Sequence, residues 1–193
     1  MKSNEKEIIS KGKHLAFLLR HDKDAFESGL IDAHGWREVS ELIREHGYTQ
    51  KMLDEIVETN NKQRYEYSKD CKKIRARQGH SIPVDVELTE AIPPDVLYHG
   101  TSHDAYWNHI VREGLKPMKR LHVHLSEDVD TAYNVGSRYS ERGNGLVILK
   151  INTMLMSSFG KKFYRSNNGV WLTDFVSPEF IDVFIDELND KSL

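Results

Sequence analysis

Prolines divide this chain of 193 residues into two parts with different hydrophobic patterns. Three of the five prolines lie between Ile82 and Pro94, in a stretch without helical periodicity. Proline fixes its own φ angle and cannot donate a backbone hydrogen bond, so regular elements tend to end where prolines cluster. We therefore place a linker at residues 87–94, between an N-terminal lobe of residues 1–86 and a C-terminal lobe of residues 95–193.

The N-terminal part begins with runs of apolar residues that recur at helical spacing. The first run ends near Arg20 and His21, so both polar side chains are predicted to leave the first helix at its C-terminal end. Ser40 is predicted to cap a second helix that stops at Gly47, and Thr49 is predicted to cap a third. We therefore expect three consecutive helices.

A hairpin is predicted to follow these helices. Arg64–Tyr67 alternates like a strand, Ser68–Asp70 supplies a turn, and Ile74–Ala76 is the predicted return strand. Three helices followed by a hairpin are typical of a winged helix, so we predict a winged-helix lobe.

The C-terminal part mixes short strands with two helices. The predicted strands are apolar runs rich in β-branched and aromatic residues: Val96–Tyr98, Val123–Leu125, Leu146–Ile151, Val170–Leu172 and Phe180–Ile185. One helix is predicted over 104–113, and another after Ser126, which we expect to be its cap. This mixture predicts an α+β lobe built on antiparallel strands.

Charge and cysteine content restrict the classes of function. The net charge is -3, with +1 over residues 1–86 and -4 over residues 87–193, so any nucleic-acid contact should be local and made by individual arginines. Cys71 is the single cysteine, which excludes an intrachain disulfide and a zinc site built on several thiolates. The charged N-terminus and the lack of a long apolar run lead us to expect no secretory signal, no membrane span and a cytoplasmic location.

Two histidines, His122 and His124, fall on one face of a predicted strand. That geometry suits a metal ion if a third ligand is available, and His80 and His99 are the candidates. It also suits contact with an organic ligand without a metal, or packing in the core. The residues alone leave these three interpretations open.

Three arginines and one histidine would together suit a phosphate. Arg20, Arg64 and Arg120 could offer planar bidentate donors to phosphate oxygens. His21 could move a proton near neutral pH. Any one of these arginines taken alone fits a solvated surface residue equally well. Arg37 has no place in this set, so we expect Arg37→Ala to be nearly neutral.

The order of the motifs resembles the tRNA 2'-phosphotransferase family over nearly the whole chain. The matching segments are Leu18–His21, Gly35-Trp36, Asn61–Tyr65, Ile74–Ser81, Leu97–Thr101, Gly114-Leu115, Met118–Ser126, Val135–Arg138 and Asn168–Asp174. Any one of them could arise by chance, whereas the ordered set could hardly do so.

The resemblance implies a winged-helix lobe that holds RNA and a C-terminal lobe of the ADP-ribosyltransferase type that holds NAD. It implies a catalytic set of three arginines and one histidine: Arg20, His21, Arg64 and Arg120. It also implies NAD-contacting positions: His99, Gly100, Thr101, His124, Ser126, Gly136 and Arg138.

The implied activity is removal of an internal 2'-phosphate from RNA, as in eukaryotic tRNA splicing. The phosphate passes to ADP-ribose, so that NAD is consumed as a co-substrate and no metal is required. Three other classes stay open at this point. They are an ADP-ribosyltransferase that acts on a nucleic-acid phosphate or a protein without a second step, a winged-helix protein that only binds nucleic acid, and a histidine-ligated metal enzyme.

Overall fold

A computed structural model describes residues 2–60 and 62–188 of the chain. Asn61, which begins one of the matched segments, and residues 189–193, at the end of the predicted C-terminal lobe, lie outside the described residues. The chain divides into two compact units. The first comprises the described residues up to Leu88 together with Lys119–Leu121, and the second comprises Thr89–Met118 and the described residues from His122 onward.

The first unit is mainly helical and carries one small sheet. Its elements are α1 (Lys2–Arg20), α2 (Lys23–Glu27), β1 (Arg37–Glu38), α3 (Val39–His46), α4 (Gln50–Thr59), β2 (Tyr65–Tyr67) and β3 (Lys73–Ala76). The strands are antiparallel in the order β1-β3-β2. Apolar side chains from α1, α3, α4 and the sheet form its core, including Leu15, Leu19, Leu42, Leu53 and Ile74.

Most predicted element ends of the first unit are confirmed. Helix α1 ends at Arg20, Gly47 follows α3, and the Thr49 hydroxyl caps α4 by accepting from the Met52 amide at 3.2 Å. The hairpin of β2 and β3 is present in antiparallel register.

No helix in the described part of the chain is long and apolar enough to span a membrane.

The predicted Ser40 cap is wrong. Helix α3 begins at Val39, and Glu38 occupies the cap position without a side-chain hydrogen bond. The reason is that Arg37 and Glu38 pair with Ile74 and Lys73 as strand β1. Pairing with a strand so distant in sequence leaves no signal in the local pattern.

The second unit is built on two antiparallel sheets. Its strands are β4 (Thr89–Glu90), β5 (Val96–Ser102), β6 (Val123–Leu125), β7 (Leu146–Asn152), β8 (Tyr164–Arg165), β9 (Trp171–Thr173) and β10 (Ile181–Asp186). The sheets have the strand orders β10-β7-β5 and β4-β8-β9-β6. The helical elements are α5 (His103–Ala105), a π-helical turn (Tyr106–Ile110), α6 (Val111–Glu113), α7 (Val129–Glu141), α8 (Thr153–Ser158) and a 3-10 turn (Pro178–Phe180). The chain therefore has the predicted α+β class.

The strand that carries three of the predicted NAD positions is longer than expected. Strand β5 continues through His99, Gly100 and Thr101 to Ser102 and pairs along its whole length with β7. These residues therefore have extended backbone within a sheet.

The predicted Ser126 cap is also wrong. Helix α7 begins at Val129, and Asp128 caps it by accepting from the Thr131 amide at 2.7 Å. Ser126 instead forms a β-bridge with Tyr98, in which the amide of each residue donates to the carbonyl of the other at 2.8 Å. This pairing keeps Ser126 extended and moves the helix cap two residues along the chain, from Ser126 to Asp128.

Candidate active site

The last residue of α1 places a half-buried cation in the first unit. The Nε and Nη2 atoms of Arg20 are buried and have no hydrogen-bond partner among the residues that the structure describes. Burial, with smaller contributions from the nearby charges of Arg64 and Arg120, lowers the pKa of Arg20 to about 10. The guanidinium still carries its charge at neutral pH. A buried charge with unused donors is costly unless a ligand completes it, and the ligand that suits it is an anion.

The segment Gly79–Ser81 packs against the end of α1. The Ser81 amide donates to the Arg20 carbonyl at 3.0 Å, which satisfies one of the carbonyls left open at the helix end. Gly79 has a φ of +88°, and a Cβ atom there would lie 3.5 Å from the Arg20 guanidinium carbon. Glycine therefore permits both the left-handed turn and the close approach of the guanidinium to the backbone.

His21 follows Arg20 and is exposed. Its Nδ1 atom lies 2.9 Å from the Ser81 hydroxyl, so the ring has a fixed partner on one side. Burial, followed by the charges of Arg20 and Arg120, lowers the pKa of His21 from its ordinary value of 6.5. The ring is therefore mostly neutral at pH 7 and can accept a proton.

Arg64 is held by a side chain at the end of α4. The Asn60 Oδ1 atom accepts from the Arg64 amide at 3.1 Å and from Arg64 Nη1 at 3.3 Å. Gln63, between them, has a φ of 42°. The half-buried Arg64 thus follows a strained turn, and its Nη1 atom is already held by Asn60.

Arg120 belongs to the first unit although it lies far along the chain from α1. The Leu121 amide donates to the His80 carbonyl at 3.1 Å, which anchors this short segment beside Gly79–Ser81. The positive charge of Arg120 lowers the pKa of both Arg20 and His21. The structure therefore brings the four predicted catalytic residues together in one unit.

A second buried arginine, Arg37, shows what a fully paired guanidinium looks like in this fold. It is 1% exposed, and its five N–H groups donate to five acceptors: both Glu41 carboxylate oxygens (2.7 and 3.0 Å), the Leu18 carbonyl (3.1 Å), Asp22 Oδ2 (2.8 Å) and His46 Nε2 (2.9 Å). Removing Arg37 would leave the buried Glu41 carboxylate with only the His46 ring, at 3.3 Å, beside it, at a cost of about 3–5 kcal/mol. We therefore no longer expect Arg37→Ala to be nearly neutral, because Arg37 is a buried and fully bonded side chain.

His80 has a role that its sequence pattern did not reveal. The side chain is 2% exposed, and its Nε2 atom has no hydrogen-bond partner within the described residues. Burial, with the charges of Arg20, His21 and Arg75, lowers the pKa of His80 to about 3. His80 is thus a neutral histidine buried within the Gly79–Ser81 segment of the first unit.

This buried histidine predicts a stability that falls in acid. The unfolded chain takes up a proton near pH 6.5, whereas the folded chain does not until about pH 3. The free energy of unfolding should therefore fall as the pH drops through 6.5, and His80 should contribute a loss of about 2 kcal/mol between pH 7 and pH 5. Urea unfolding at both pH values checks this. His80→Gln should lose that part of the difference, and an unchanged pH dependence in His80→Gln would contradict the assignment.

The predicted NAD positions all lie in the second unit. The Nδ1 atom of His99 donates to the His124 carbonyl at 2.9 Å, and the Nδ1 atom of His124 donates to the His122 carbonyl at 3.0 Å. Because a carbonyl only accepts, both rings carry a proton on Nδ1. The Tyr98–Ser126 bridge brings Ser126 to the same region of β5 and β6.

Gly100 and Gly136 allow α7 to contact β5 backbone to backbone. A Cβ atom on Gly100 would lie 2.3 Å from the Ala132 carbonyl oxygen, and one on Gly136 would lie 2.3 Å from a Leu146 methyl group. Each space is therefore filled by the protein itself. Both glycines have a packing function, whatever contact their backbones also make with a ligand.

Gly100→Ala is expected to destabilise the second unit strongly. The new methyl group would meet a backbone oxygen that cannot rotate away, so α7 must move from the sheet, at a cost of about 3 kcal/mol or more. Thermal unfolding checks this. Gly12→Ala is the control, because a Cβ there meets only a methyl group at 3.8 Å and alanine favours the helix. A melting temperature of Gly100→Ala equal to that of the unmodified protein would contradict the packing role.

The remaining predicted positions differ in accessibility. Thr101 is 5% exposed and lies in β5, where it pairs with Val147 of β7. Arg138 is exposed on α7, and its Nη2 atom donates to the Tyr139 hydroxyl at 3.1 Å. Among the residues that the structure describes, no three histidine, cysteine, aspartate or glutamate side chains are grouped so that they could hold a metal ion.

Comparison with known proteins gives a consistent result. A family model described as "RNA 2'-phosphotransferase, Tpt1 / KptA family" matches residues 6–175. A relative from Flavobacterium johnsoniae is 44% identical over 185 residues, covering 93% of this chain and 98% of the relative. Relatives from Fusobacterium nucleatum (43% over 178 residues, 90% and 97% covered) and Hahella chejuensis (42% over 184 residues, 93% and 96% covered) are similar. All three are named "Probable RNA 2'-phosphotransferase".

Proposed function

The chain belongs to the RNA 2'-phosphotransferase family, and we propose that it transfers an internal RNA 2'-phosphate to the ADP-ribose part of NAD. Its proposed products are RNA with a 2'-hydroxyl, nicotinamide and ADP-ribose 1'',2''-cyclic phosphate. The observation that carries the proposal is the half-buried Arg20 side chain, whose Nε and Nη2 donors are buried and unused within the described residues.

Phosphate binding follows from the charges around Arg20. Arg64 and Arg120 both lie near enough for their charges to lower the Arg20 pKa. Three guanidinium groups close together repel one another, and a dianionic phosphate removes that repulsion while it accepts bidentate hydrogen bonds. The contrast with Arg37, whose donors are all used by the protein, supports a ligand-binding role for Arg20.

In the first proposed step, an oxygen of the RNA 2'-phosphate attacks the ribose carbon of NAD that carries nicotinamide. A carbon–oxygen bond forms, the carbon–nitrogen bond breaks, and nicotinamide leaves as a neutral molecule. The transition state has oxocarbenium character, so the protein mainly needs to place the anionic nucleophile. Arg20, Arg64 and Arg120 serve this placement.

In the second proposed step, the 2''-hydroxyl of the bound ADP-ribose attacks the phosphorus. The bond from phosphorus to the RNA 2'-oxygen breaks, and a proton must move from the attacking hydroxyl to the departing oxygen. His21 is the proposed proton carrier, because its ring is mostly neutral near pH 7 and adjoins the arginine cluster. The Ser81 hydroxyl, 2.9 Å from Nδ1, orients the ring.

The second unit is the proposed NAD-binding part. His99 and His124, whose rings are oriented by Nδ1 bonds to backbone carbonyls, are proposed to contact the NAD ribose. Ser126 and Thr101 add hydroxyl groups nearby in the sheet, and the exposed Arg138 suits a pyrophosphate. Gly100 and Gly136 would take part through their backbones. We propose no metal ion in the reaction.

The two units are proposed to divide the substrates between them. The helices and hairpin of the first unit support a winged-helix lobe that holds RNA, and the antiparallel sheets of the second support an ADP-ribosyltransferase-like lobe. The RNA proposed is tRNA-like and carries a 2'-phosphate. The cytoplasm is the proposed location, which suits the free thiol of Cys71.

Release of nicotinamide tests the proposal. The protein is incubated with NAD and an oligoribonucleotide that carries one internal 2'-phosphate, and the same oligonucleotide with a 2'-hydroxyl is the control. Nicotinamide should appear in proportion to the phosphorylated RNA and should be absent with the control. A protein that only binds nucleic acid would release nicotinamide with neither, and that result would reject the proposal.

A further inference from the structure

We propose that Arg37 is a positioning residue that holds the junction between α1 and α2, and with it the direction of the His21 ring. This inference rests on the proposed function only in giving His21 a part in the reaction. The observation behind it is that the donors of Arg37 bind on both sides of that junction.

Arg37 forms a clamp on this junction through its bonds to Leu18 and Asp22. Arg37 Nη1 donates to the Leu18 carbonyl at 3.1 Å, in the last turn of α1, and to Asp22 Oδ2 at 2.8 Å. The other Asp22 oxygen, Oδ1, caps α2 by accepting from the Ala25 amide at 3.1 Å. One guanidinium nitrogen therefore links the end of one helix to the start of the next, and His21 lies between the two bound residues.

The clamp is itself anchored firmly. The Nε and Nη2 atoms of Arg37 form a bidentate pair with the Glu41 carboxylate on α3, and the backbone of Arg37 pairs with Ile74 in the sheet. Burial opposes the charged form, but the hydrogen bonds and negative charges of Glu41 and Asp22 raise the pKa of Arg37. A planar group with every donor bound cannot rotate, so it transmits the position of α3 and the sheet to the junction.

The opposite side of the junction is held by a different segment. Ser81 binds the Arg20 carbonyl through its amide and meets the His21 ring through its hydroxyl. The ring can meet that hydroxyl at 2.9 Å only while the backbone between Leu18 and Asp22 keeps its path. A shift of about 1 Å in a catalytic group can lower a rate by about 10²-fold, so loss of the clamp should lower the rate of the reaction.

The test variant is the double substitution Arg37→Met with Glu41→Met. Replacing both charges avoids an unpaired buried carboxylate, and apolar replacement of a whole buried ion pair is often tolerated. Arg75→Met is the matched control. Arg75 is also a buried arginine of the first unit (7% exposed), but it bonds to Glu66, Glu87 and the His34 carbonyl. Glu66 keeps Arg77 as a partner at 3.2 Å when Arg75 is removed.

The readout is the imidazole of His21 in the free protein, followed through its ring ¹⁵N chemical shifts and assigned with His21→Gln. In the folded double variant the shifts should move toward those of an unconstrained imidazole, whereas Arg75→Met should leave them unchanged. Under the proposed function, kcat should also fall about 10- to 100-fold with an unchanged KM for NAD.

Asp22→Asn gives an independent variant at a partly exposed side chain, should the double variant fail to fold. It keeps a cap on α2 but weakens the bond to Arg37, so the His21 shifts should move in the same direction by a smaller amount. His21 shifts that stay at their wild-type values in the folded double variant, or in Asp22→Asn, would overturn the inference. Because the shifts are measured without substrate, an inactive wild-type protein would reject the proposed function and leave this test intact.

Discussion

His21→Ala is expected to slow the second step far more than the first, so that ADP-ribosylated RNA accumulates. The first step uses a phosphate that is already ionised and a cationic nicotinamide that leaves as a neutral molecule, so it needs little proton transfer. The second step must deprotonate a ribose hydroxyl and protonate the departing RNA oxygen. A well-placed acid or base contributes roughly 10²–10⁴-fold to such a step.

A time course with labelled 2'-phosphorylated RNA would resolve substrate, intermediate and product. His109→Ala, at an exposed side chain of the second unit, is the control and should complete both steps. If His21→Ala slows substrate loss and product formation equally, with no intermediate at any time, His21 serves the first step or binding instead.

Arg20→Lys is expected to lower kcat/KM by roughly 10²–10³-fold, the loss typical when a buried donor to a developing or bound anion is removed. A lysine keeps the charge but cannot offer two parallel N–H groups, and the Nε and Nη2 donors of Arg20 are the ones left unused in the described residues. Arg64→Lys should have a smaller effect, of about 10-fold or more, because part of the Arg64 guanidinium already bonds to Asn60.

Arg44→Lys is the matched control for both arginines. Its side chain is 67% exposed and pairs with the neighbouring Glu45, so activity should change little. Steady-state kinetics with 2'-phosphorylated RNA, on variants shown to be folded by circular dichroism, give the comparison. Wild-type activity in Arg20→Lys would remove Arg20 from the phosphate site.

Local patterns predicted the parts of the fold that depend on local physics. The apolar period of the first helix predicted that Arg20 and His21 leave it at its end, and helix α1 does end at Arg20. Thr49 was predictable as a cap because its hydroxyl bonds to an amide only three residues away. The five strand runs of the second unit were predictable for the same reason, since β-branched and aromatic residues mark strands directly.

Long-range pairing decided the features that were missed. Ser126 looks like a helix cap, but its pairing with Tyr98, 28 positions earlier in the chain, holds it in a β-bridge. Arg37 looks like a surface arginine, and only its contacts with Asp22 and Glu41 reveal a buried clamp. The position of His80 beside Gly79, in a matched segment, marked it as a residue of interest. Its burial could not be predicted, because burial depends on the packing of the whole unit.

The site itself divides in the same way. The resemblance named the four proposed catalytic residues, whereas the residues themselves offered no reason to bring Arg120 to the end of α1. The structure supplies that reason in the bond from the Leu121 amide to the His80 carbonyl, which places the Lys119–Leu121 segment within the first unit. It also gives Gly100 and Gly136 a packing role that motif matching could not separate from ligand contact.

The fate of the transferred phosphorus tests the central claim most directly. An oligoribonucleotide with a single ³²P-labelled internal 2'-phosphate is incubated with the protein and NAD, and the labelled products are separated. The label should leave the RNA and appear in ADP-ribose 1'',2''-cyclic phosphate, with one nicotinamide released for each phosphate transferred. Label that stays on the RNA as a stable ADP-ribosylated phosphate in the wild-type protein, or that appears as inorganic phosphate without any need for NAD, would contradict the proposed reaction.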